Sequence, residues 1–223
     1  MLYIVSTPIG NLKDITYRAV ETLKNVDLIA AEDTRHTRIL CRHYNIQTPL
    51  TSYFEYNKIK KADYILKLLD KGKEVALVTD AGTPGISDPG YHLIRLVKQH
   101  HIPITVAPGV TALIAALSLS GFPCHNFIFE GFLPVKSVAR RKKLERFKQE
   151  ERTLIFYESP HRMIKALADI EDVLGDPPVV CARELTKKFE EIKEGSAGEL
   201  RKYFSEKKPK GEFVLLIGRR ENV

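Results

Sequence analysis

A loop rich in glycine, proline, carboxylates and hydroxyls spans residues 79–90, directly after the clearest apolar run of the chain. Its sequence is Thr-Asp-Ala-Gly-Thr-Pro-Gly-Ile-Ser-Asp-Pro-Gly. Glycines let a ligand approach the backbone, prolines stiffen a loop, and carboxylates accept hydrogen bonds from hydroxyl or amino groups. Open α/β sheets bind ligands outside the carboxyl ends of their strands. Composition alone is equally compatible with a ligand-binding loop and with a long turn in which Asp88 caps the next helix.

The spacing of the glycines excludes the standard nucleotide loops. Gly82, Gly85 and Gly90 are separated by two and four residues. This fits neither Gly-x-Gly-x-x-Gly nor the phosphate loop that ends in Gly-Lys-Ser/Thr. The pattern therefore argues against a dehydrogenase, a kinase and the common Rossmann-type methyltransferase.

Two further turns have the same placement, at the end of a predicted strand and before a helix. They are Thr-Pro-Ile-Gly at residues 7–10 and Ala-Pro-Gly-Val-Thr-Ala at residues 107–112. In the second turn, the free amides of a helix N-terminus would face a ligand. Each turn alone is more typical of a structural role. Three such loops from one sheet should lie along the same edge, which predicts a ligand cleft.

Two polar clusters follow strands in the second half of the chain. Residues 157–162 are Tyr-Glu-Ser-Pro-His-Arg, and residues 182–187 are Ala-Arg-Glu-Leu-Thr-Lys. An aromatic ring, carboxylates, an imidazole and guanidinium groups at strand ends suit substrate binding and proton transfer. The structural alternatives are an ordinary helix start at Ser159-Pro160 and a surface pair between Arg183 and Glu184.

Alternating strands and helices must position these loops. Apolar or β-branched runs predict strands at residues 2–6, 27–31, 49–54, 74–79 and 102–107, with helices between them. A run such as Val-Ala-Leu-Val indicates burial on both faces, as in a parallel sheet. The fold class is therefore α/β with a mostly parallel sheet. The break Ser-Gly-Phe-Pro at residues 120–123 divides a domain of residues 1–119 from a second α/β domain of residues 120–223, where helices are expected to fill every gap between strands.

The positive charge of the chain is concentrated in one segment. Residues 136–148 hold seven basic residues and one acidic residue, which is seven minus one, or +6, of a net charge of +7. Concentrated charge favours a polyanionic partner, although a solvated helix face is the common alternative. Leu144 and Phe147 are expected to pack inward, which would leave Arg140, Arg141, Lys142 and Lys143 on the outer side.

Composition also limits the setting of the protein. The longest apolar run, residues 110–122, is too short to span a bilayer, and the N-terminus resembles a strand rather than a signal peptide. The three cysteines are far apart and without metal-ligand spacing, which favours reduced, mostly buried thiols in a cytoplasmic protein. No His-x-x-x-His pairing is present, so no metal is expected.

Five segments taken in order resemble a known family. They are residues 7–12, 32–35, 80–90, 157–162 and 182–187. Together they are similar to the ribosomal RNA small-subunit methyltransferase I family, the 16S rRNA cytidine 2′-O-methyltransferases, within the tetrapyrrole (corrin and porphyrin) methylase superfamily. The resemblance extends from about Leu2 to Ile217.

The resemblance implies two α/β domains of tetrapyrrole-methylase type with an interdomain cleft, in a homodimer. It implies S-adenosylmethionine as methyl donor and the ribose 2′-oxygen of a cytidine in the decoding centre of the small ribosomal subunit as acceptor. Longer members continue into a helical extension after the segment that corresponds to residues 212–217. Without this extension, binding to the small ribosomal subunit is expected to differ.

Residue roles follow by position. The donor is expected to contact Pro8, Gly82, Thr83, Pro84, Ile86, Ser87, Asp88, Thr111, Ala112, Tyr157, Ala182, Gly211 and Glu212. A ribose hydroxyl is a weak nucleophile, and the candidates for its proton acceptor are Glu32, Glu158 and His161. Candidates for RNA contact are Arg35 and Arg183 at phosphates, with Arg140, Arg141, Lys142 and Lys143 from the basic segment.

Two other functions stay open at this point. A tetrapyrrole C-methyltransferase would share the donor loops but would require a cleft for an acidic substrate rather than a long basic segment. A non-catalytic RNA-binding assembly factor would need no methyl donor.

Overall fold

Five parallel strands form the first sheet in a computed structural model that describes residues 1–218. The strands are β1 (Leu2–Val5), β2 (Leu28–Ala31), β3 (Leu50–Ser52), β4 (Val75–Val78) and β5 (Ile104–Ala107). Their order is β3-β2-β4-β1-β5, so that β1 lies between β4 and β5 and Leu2 pairs with both Val75 and Ile104. The predicted parallel α/β sheet is confirmed.

Four helices cover both faces of this sheet: α1 (Tyr17–Asn25), α2 (Thr34–His43), α3 (Lys58–Asp70) and α4 (Tyr91–Gln99). Apolar residues of α1 and α2 share one core, and those of α3 and α4 share the core on the other face. Thr16 caps α1 by accepting a hydrogen bond from the Ala19 amide, and Asp33 caps α2 by accepting one from the Arg35 amide. A 3-10 turn at Leu12–Asp14 precedes α1.

The second sheet is mixed. Its strands are β6 (Phe127–Phe132), β7 (Thr153–Glu158), β8 (Pro178–Arg183), β9 (Glu191–Ser196) and β10 (Phe213–Ile217), in the order β6-β7-β10-β8-β9. Among the described strands of this sheet, β6 and β7 are parallel, and the other three pairs are antiparallel. The expectation of a helix in every gap is wrong between β8 and β9. These strands are antiparallel neighbours, and such neighbours need no helical crossover.

The helices of the second unit are α5 (Ala112–Leu119), α6 (Ser137–Glu145), α7 (Met163–Leu174) and α8 (Ala197–Glu206). Leu144 of α6, Leu167 of α7 and Phe204 of α8 are buried with Phe156 and Leu215 in one core. Leu144 and Phe147 pack inward as expected. Helix α5 packs against β7 and β10, and the chain therefore divides between Thr111 and Ala112 rather than after residue 119.

Three observations concern the general properties of residues 1–218. No helix in this range is long and apolar enough to cross a membrane. Cys41 and Cys181 are buried, whereas Cys124 is exposed. Within the same range, no three His, Cys, Asp or Glu side chains are grouped so as to hold a metal ion.

Candidate functional site

The loops that follow β1 and β4 are joined side by side at the carboxyl edge of the first sheet. Thr7 and Gly82 exchange two backbone hydrogen bonds of 2.9 and 3.1 Å. The Thr7 hydroxyl donates to the carbonyl of Thr79 at 3.0 Å, and the hydroxyls of Ser6 and Thr83 lie 2.8 Å apart. These bonds hold the two loops in one fixed arrangement.

The loop after β5 reaches the same place. A Cβ atom on Gly109 would lie 2.9 Å from the Cβ of Ser6, closer than carbon atoms pack. A Cβ on Gly82 would lie 3.8 Å from the carbonyl oxygen of Val110. The three loops therefore meet at one edge, as the sequence predicted, and Gly109 is required for their close approach.

The turn between Gly85 and Gly90 folds back on itself. Gly85 has φ +83°, and a Cβ on Gly90 would lie 2.8 Å from the Gly85 nitrogen. Helix α4 begins at Tyr91 with Gly90 as its N-cap and without a side-chain cap. Gly90 rather than Asp88 is therefore the N-cap residue of this helix.

A group of carboxylates lies at the same edge, where β2 and β4 end. The amide of Asp80 donates to Glu32 Oε2 at 3.3 Å, and the amide of Asp33 donates to Asp80 Oδ1 at 3.2 Å. Burial raises the pKa of the Glu32 carboxyl above its ordinary value, and the charges of Asp88 and Asp80 raise this pKa further. Burial likewise raises the pKa of Asp80. Both groups are costly to keep ionised, and this is a feature of functional sites.

The raised pKa predicts a pH-dependent gain in stability for Glu32→Gln. A raised folded-state pKa favours folding below the unfolded-state pKa, and this contribution is lost as pH rises through the folded-state value. At pH 7 the neutral glutamine should therefore raise the melting temperature. The gain should shrink as the pH falls from above the raised folded-state pKa toward the ordinary glutamate pKa of about 4.3, and it should be absent below that value, where Glu32 is protonated in both the folded and the unfolded wild type.

Thermal melts of the variant and the wild type from pH 4 to pH 7 measure this difference. Glu21→Gln, on the exposed side of α1, is the matched control and should leave the melting temperature unchanged. A Glu32→Gln melting temperature below that of the wild type at pH 7 would contradict the prediction.

Arg35 stands at the start of α2, beside these carboxylates. Its Nε and Nη2 atoms donate to Asp33 at 3.0 and 2.6 Å, and its side chain is otherwise exposed. The Arg35 guanidinium lowers the pKa of Asp33 well below its usual range. The residue lies where a phosphate could reach it.

Two of the predicted donor residues in the second unit share one face of its sheet. Tyr157 of β7 and Ala182 of β8 both pair with Val214 of β10, so that the three residues form a row across adjacent strands. The Tyr157 ring packs edge-on against Phe129 and Phe132, with centroids 5.0 and 5.8 Å away. Side chains alternate along strands, and this row therefore points away from the core formed with α6, α7 and α8.

The side chain of Glu158 points to the opposite face of this sheet from the side chain of Tyr157. Glu158 follows Leu154 and Phe156 by even steps, and these residues lie in the core on the helix side of the sheet. Its Oε1 accepts from the amide of Ser159 at 2.7 Å and contacts Arg162 Nη2 at 2.6 Å, while the buried Oε2 has no hydrogen-bond partner among the described residues. Burial raises the pKa of Glu158. The structure thus separates Glu158 from the row of Tyr157 and Ala182, and it leaves His161 exposed.

The segment after β8 is tied to the start of β10. Glu184 Oε1 accepts from the Glu212 amide at 2.9 Å, and Lys187 bridges Glu184 and Glu212 at 3.0 and 2.7 Å. Gly211 has φ +87°, and a Cβ there would lie 2.5 Å from the Glu184 side chain. Thr186 has φ +68°, which is strained for a β-branched residue.

Arg183 is the remaining phosphate candidate of this segment. Its Nη1 donates to Glu191 at 2.9 Å. Its buried Nε has no partner among residues 1–218.

The basic segment differs from its prediction. Arg140 is only 2% exposed, so its placement on the outer side is wrong. Its guanidinium contacts Asp169 at 2.7 Å and donates to the carbonyls of Pro134 and Val135. The segment also carries ion pairs of Arg141 with Asp169 and Asp172 and of Lys143 with Glu130, while Lys142 is exposed.

The structure places the predicted donor residues in both units. The first unit contains Pro8, Gly82, Thr83, Pro84, Ile86, Ser87, Asp88 and Thr111, and the second contains Ala112, Tyr157, Ala182, Gly211 and Glu212. Sequence reasoning left out Ser6 and Asp80, both of which hold the loops of the first unit together. Both residues closely follow apolar strands, and this position in the sequence could have identified them.

Comparison with known proteins identifies the family that this chain matches. The family model for tetrapyrrole (corrin/porphyrin) methylases matches residues 1–201. A protein of Synechocystis named ribosomal RNA small subunit methyltransferase I is 50% identical over 97% of this chain and 78% of its own length. A protein of the same name from Thermotoga maritima is 48% identical, over 99% of both chains.

A solved structure shows the same fold. The crystal structure of uroporphyrin-III C-methyltransferase from Thermus thermophilus, complexed with S-adenosylhomocysteine, has a TM-score of 0.70. The alignment covers 97% of this chain and 96% of that protein at 18% identity. The two sheets described above therefore have the arrangement of strands and helices known from this structural class.

Proposed function

The chain belongs to the tetrapyrrole (corrin/porphyrin) methylase family and to its ribosomal RNA small subunit methyltransferase I members, and we propose that it methylates the ribose 2′-oxygen of a cytidine in the decoding centre of 16S rRNA. S-adenosylmethionine is the methyl donor. Identities of 48–50% over nearly the whole chain to proteins of that name carry the proposal. The resemblance of the chain to this family supports the choice of nucleotide and atom.

The loops of the first unit fit a ligand such as S-adenosylmethionine. Gly82 is buried and both of its backbone polar groups bond to Thr7. Thr83 and Gly85 are half-buried and Ser87 is exposed, so a ligand can reach the loop at these residues. The partly buried carboxylates of Glu32 and Asp80 supply negative charge at the same edge, which suits a cationic molecule. The thirteen predicted donor residues, distributed over both units, are part of this proposal.

The chemistry of the donor defines what the protein must contribute. The sulfonium group supplies an activated methyl carbon, so the task of the protein is to align an oxygen with it. Rigid positioning of two reactants supplies up to about 7–11 kcal/mol. The hydrogen bonds that join the loops of Thr7, Gly82 and Thr83 give the rigidity that such positioning requires.

Glu32 fits the role of proton acceptor better than the other candidates. Its pKa is raised, and a raised pKa makes a carboxylate a stronger base. Glu158 is held by Arg162 on the helix side of its sheet, and His161 is exposed. Transfer at the wild-type rate by Glu32→Gln would exclude this role.

Methyl transfer to purified small subunits that lack the modification tests the proposed function. Calorimetry should show binding of S-adenosylmethionine, and labelled methyl should appear in 16S rRNA at a rate well above that for a short cytidine oligonucleotide. Efficient methylation of uroporphyrinogen instead would assign the protein to the tetrapyrrole C-methyltransferases. Subunit binding without any donor binding would indicate an assembly factor.

The binding partner, the cellular compartment and the oligomeric state are part of the same proposal. The partner is the small ribosomal subunit, the compartment is the cytoplasm, and the enzyme works as a homodimer. Sedimentation of the purified protein as a monomer at micromolar concentration would remove the dimer from the proposal.

A further inference from the structure

Helix α2 presents a row of arginines to the surface. Thr37, Leu40 and Cys41 form its buried side. Arg35, Arg38 and Arg42 lie on the exposed side at spacings of three and four residues, which places them in one row of about 10 Å. The helix contains no acidic residue.

The arginines of α2 differ from the basic residues of α6 in the ion pairs that they make. Within residues 1–218, Arg38 and Arg42 make no ion pair, and Arg35 pairs only with the adjacent Asp33. In α6, by contrast, Arg140, Arg141 and Lys143 are bound to acidic residues of their own unit, as described above. Within residues 1–218, α6 has one basic residue without an ion pair, Lys142, whereas α2 has two, Arg38 and Arg42. Lys136 and Arg146, on either side of α6, are unpaired in this range as well.

Two exposed aromatic rings lie in the segment that connects β3 to α3. Phe54 is 37% exposed and Tyr56 is 96% exposed, with their ring centroids 6.4 Å apart. The segment has a defined conformation, because Asn57 Oδ1 accepts from the Phe54 amide at 2.8 Å and Asn57 Nδ2 donates to the Ser52 hydroxyl at 3.2 Å. A cavity of about 400 Å³ opens there, lined in part by Tyr56 and Lys60.

The arginine row and the aromatic segment begin at the same corner of the first sheet. Strands β2 and β3 are parallel neighbours, with Ala31 opposite Ser52. Helix α2 starts directly after β2, and the aromatic segment starts directly after β3. The corner is therefore next to Glu32, at the carboxyl edge that holds the candidate donor loops. From this edge, α2 runs back along one face of the sheet and residues 54–60 lead into α3 on the other face. We name the exposed side of α2 together with residues 54–60 the α2 corner.

We propose that the α2 corner binds the single-stranded RNA next to the methylated ribose. Tyr56 and Phe54 stack on bases, and Arg38 and Arg42 contact phosphates. Sequence-specific recognition of RNA uses unpaired bases stacked on aromatic rings, and arginine is the preferred phosphate ligand. Unpaired cations beside bare rings fit a polyanion with exposed bases better than a protein surface. This inference rests on the proposed function, because it assigns the site that holds its substrate.

Binding of purified small subunits, measured by filter retention over a range of salt concentrations, tests the inference. The variants are Arg38→Gln/Arg42→Gln and Tyr56→Ala. Their matched controls are Arg95→Gln/Lys98→Gln, which removes two exposed cations from α4 on the opposite face of the sheet, and Tyr56→Phe, which keeps the ring. Calorimetry with S-adenosylmethionine accompanies each variant as a check on the fold of the first unit.

The arginine variant should weaken subunit binding roughly 10-fold at low salt and reduce the slope of log affinity against log salt by about 1.4, or 0.7 for each lost single-strand contact. Tyr56→Ala should weaken binding by about 5-fold or more, the loss of one stacked base. Both controls should bind as the wild type does, and donor affinity should be unchanged throughout.

Three results would overturn the inference. If the wild type methylates subunits but the α2-corner variants bind like their controls, the RNA site is elsewhere and the proposed function stands. If Arg38→Gln/Arg42→Gln weakens binding with an unchanged salt slope, the corner contacts a ribosomal protein rather than RNA. If the wild type neither binds nor methylates subunits, the proposed function itself fails, and this inference fails with it.

Discussion

Gly85→Val is expected to weaken binding of S-adenosylmethionine by at least about 100-fold, or about 2.7 kcal/mol. Gly85 has φ +83°, a conformation that costs a residue with a side chain about 1–2 kcal/mol. Its Cβ would also lie 3.3 Å from Ile94 Cδ1, and its nitrogen is packed against Gly90. Valine must therefore move the turn, and the donor loses the backbone surface formed there. Calorimetry measures the change.

Gly72→Val is the control that separates the effect of backbone strain from the effect of a change in the candidate donor loop. Gly72 has φ +77°, with no heavy atom within 4 Å of an added Cβ, and it lies in the turn before β4. This variant should lose a similar amount of stability through backbone strain but keep its donor affinity. Unchanged donor affinity in Gly85→Val would show that residues 79–90 do not form the donor pocket.

Asp169→Ala is expected to lower the free energy of unfolding of the second unit by about 3–5 kcal/mol, because it leaves the buried Arg140 guanidinium without its ion-pair partner. Arg140 contacts Asp169 at 2.7 Å, and Ser137 donates to both carboxylate oxygens at 3.0 and 2.9 Å. Such a loss is a large part of the stability of an ordinary domain. Urea unfolding followed by circular dichroism measures the change.

Two further variants make the measurement specific. Asp172 is the other partner of Arg141, and its side chain is 60% exposed. Asp172→Ala should therefore lower the free energy of unfolding by at most about 1 kcal/mol. Arg140→Met/Asp169→Leu replaces the buried pair with apolar groups and should restore most of the stability. A loss of less than about 1 kcal/mol in Asp169→Ala would contradict the structural role of Arg140. Weaker subunit binding by an Arg140 variant would then point back to an RNA contact.

Short-range patterns predicted much of this fold. The apolar run at Val75–Val78 required burial on both faces, and β4 indeed lies inside a parallel sheet covered by helices. The meeting of the loops after β1, β4 and β5 followed from the rule that parallel strands end at one edge.

Other features depend on partners distant in the sequence. Arg140 is buried because Asp169 of α7 meets it, and nothing within residues 136–148 indicates this. Tyr157 and Glu158 are adjacent in the sequence but point to opposite faces of the second sheet, so a motif that contains both is not one site. Helix α5 joined the second unit because of its packing on β7 and β10, which its alanine-rich sequence does not specify.

The central position of β10 has a consequence for the synthesis of the chain. β10 separates β7 from β8, so that before residues 213–217 are made the second sheet exists only as two ribbons, β6-β7 and β8-β9. The first sheet is complete once β5 has been translated, about 100 residues earlier. At elongation speeds of about 5–20 residues per second, the edge of β7 stays unpaired for about 3–12 s and that of β8 for about 2–7 s until β10 has been made. Chaperones that shield strand edges should therefore engage the nascent second unit, and a stop codon ahead of Phe213 should yield an aggregating fragment with an intact first unit.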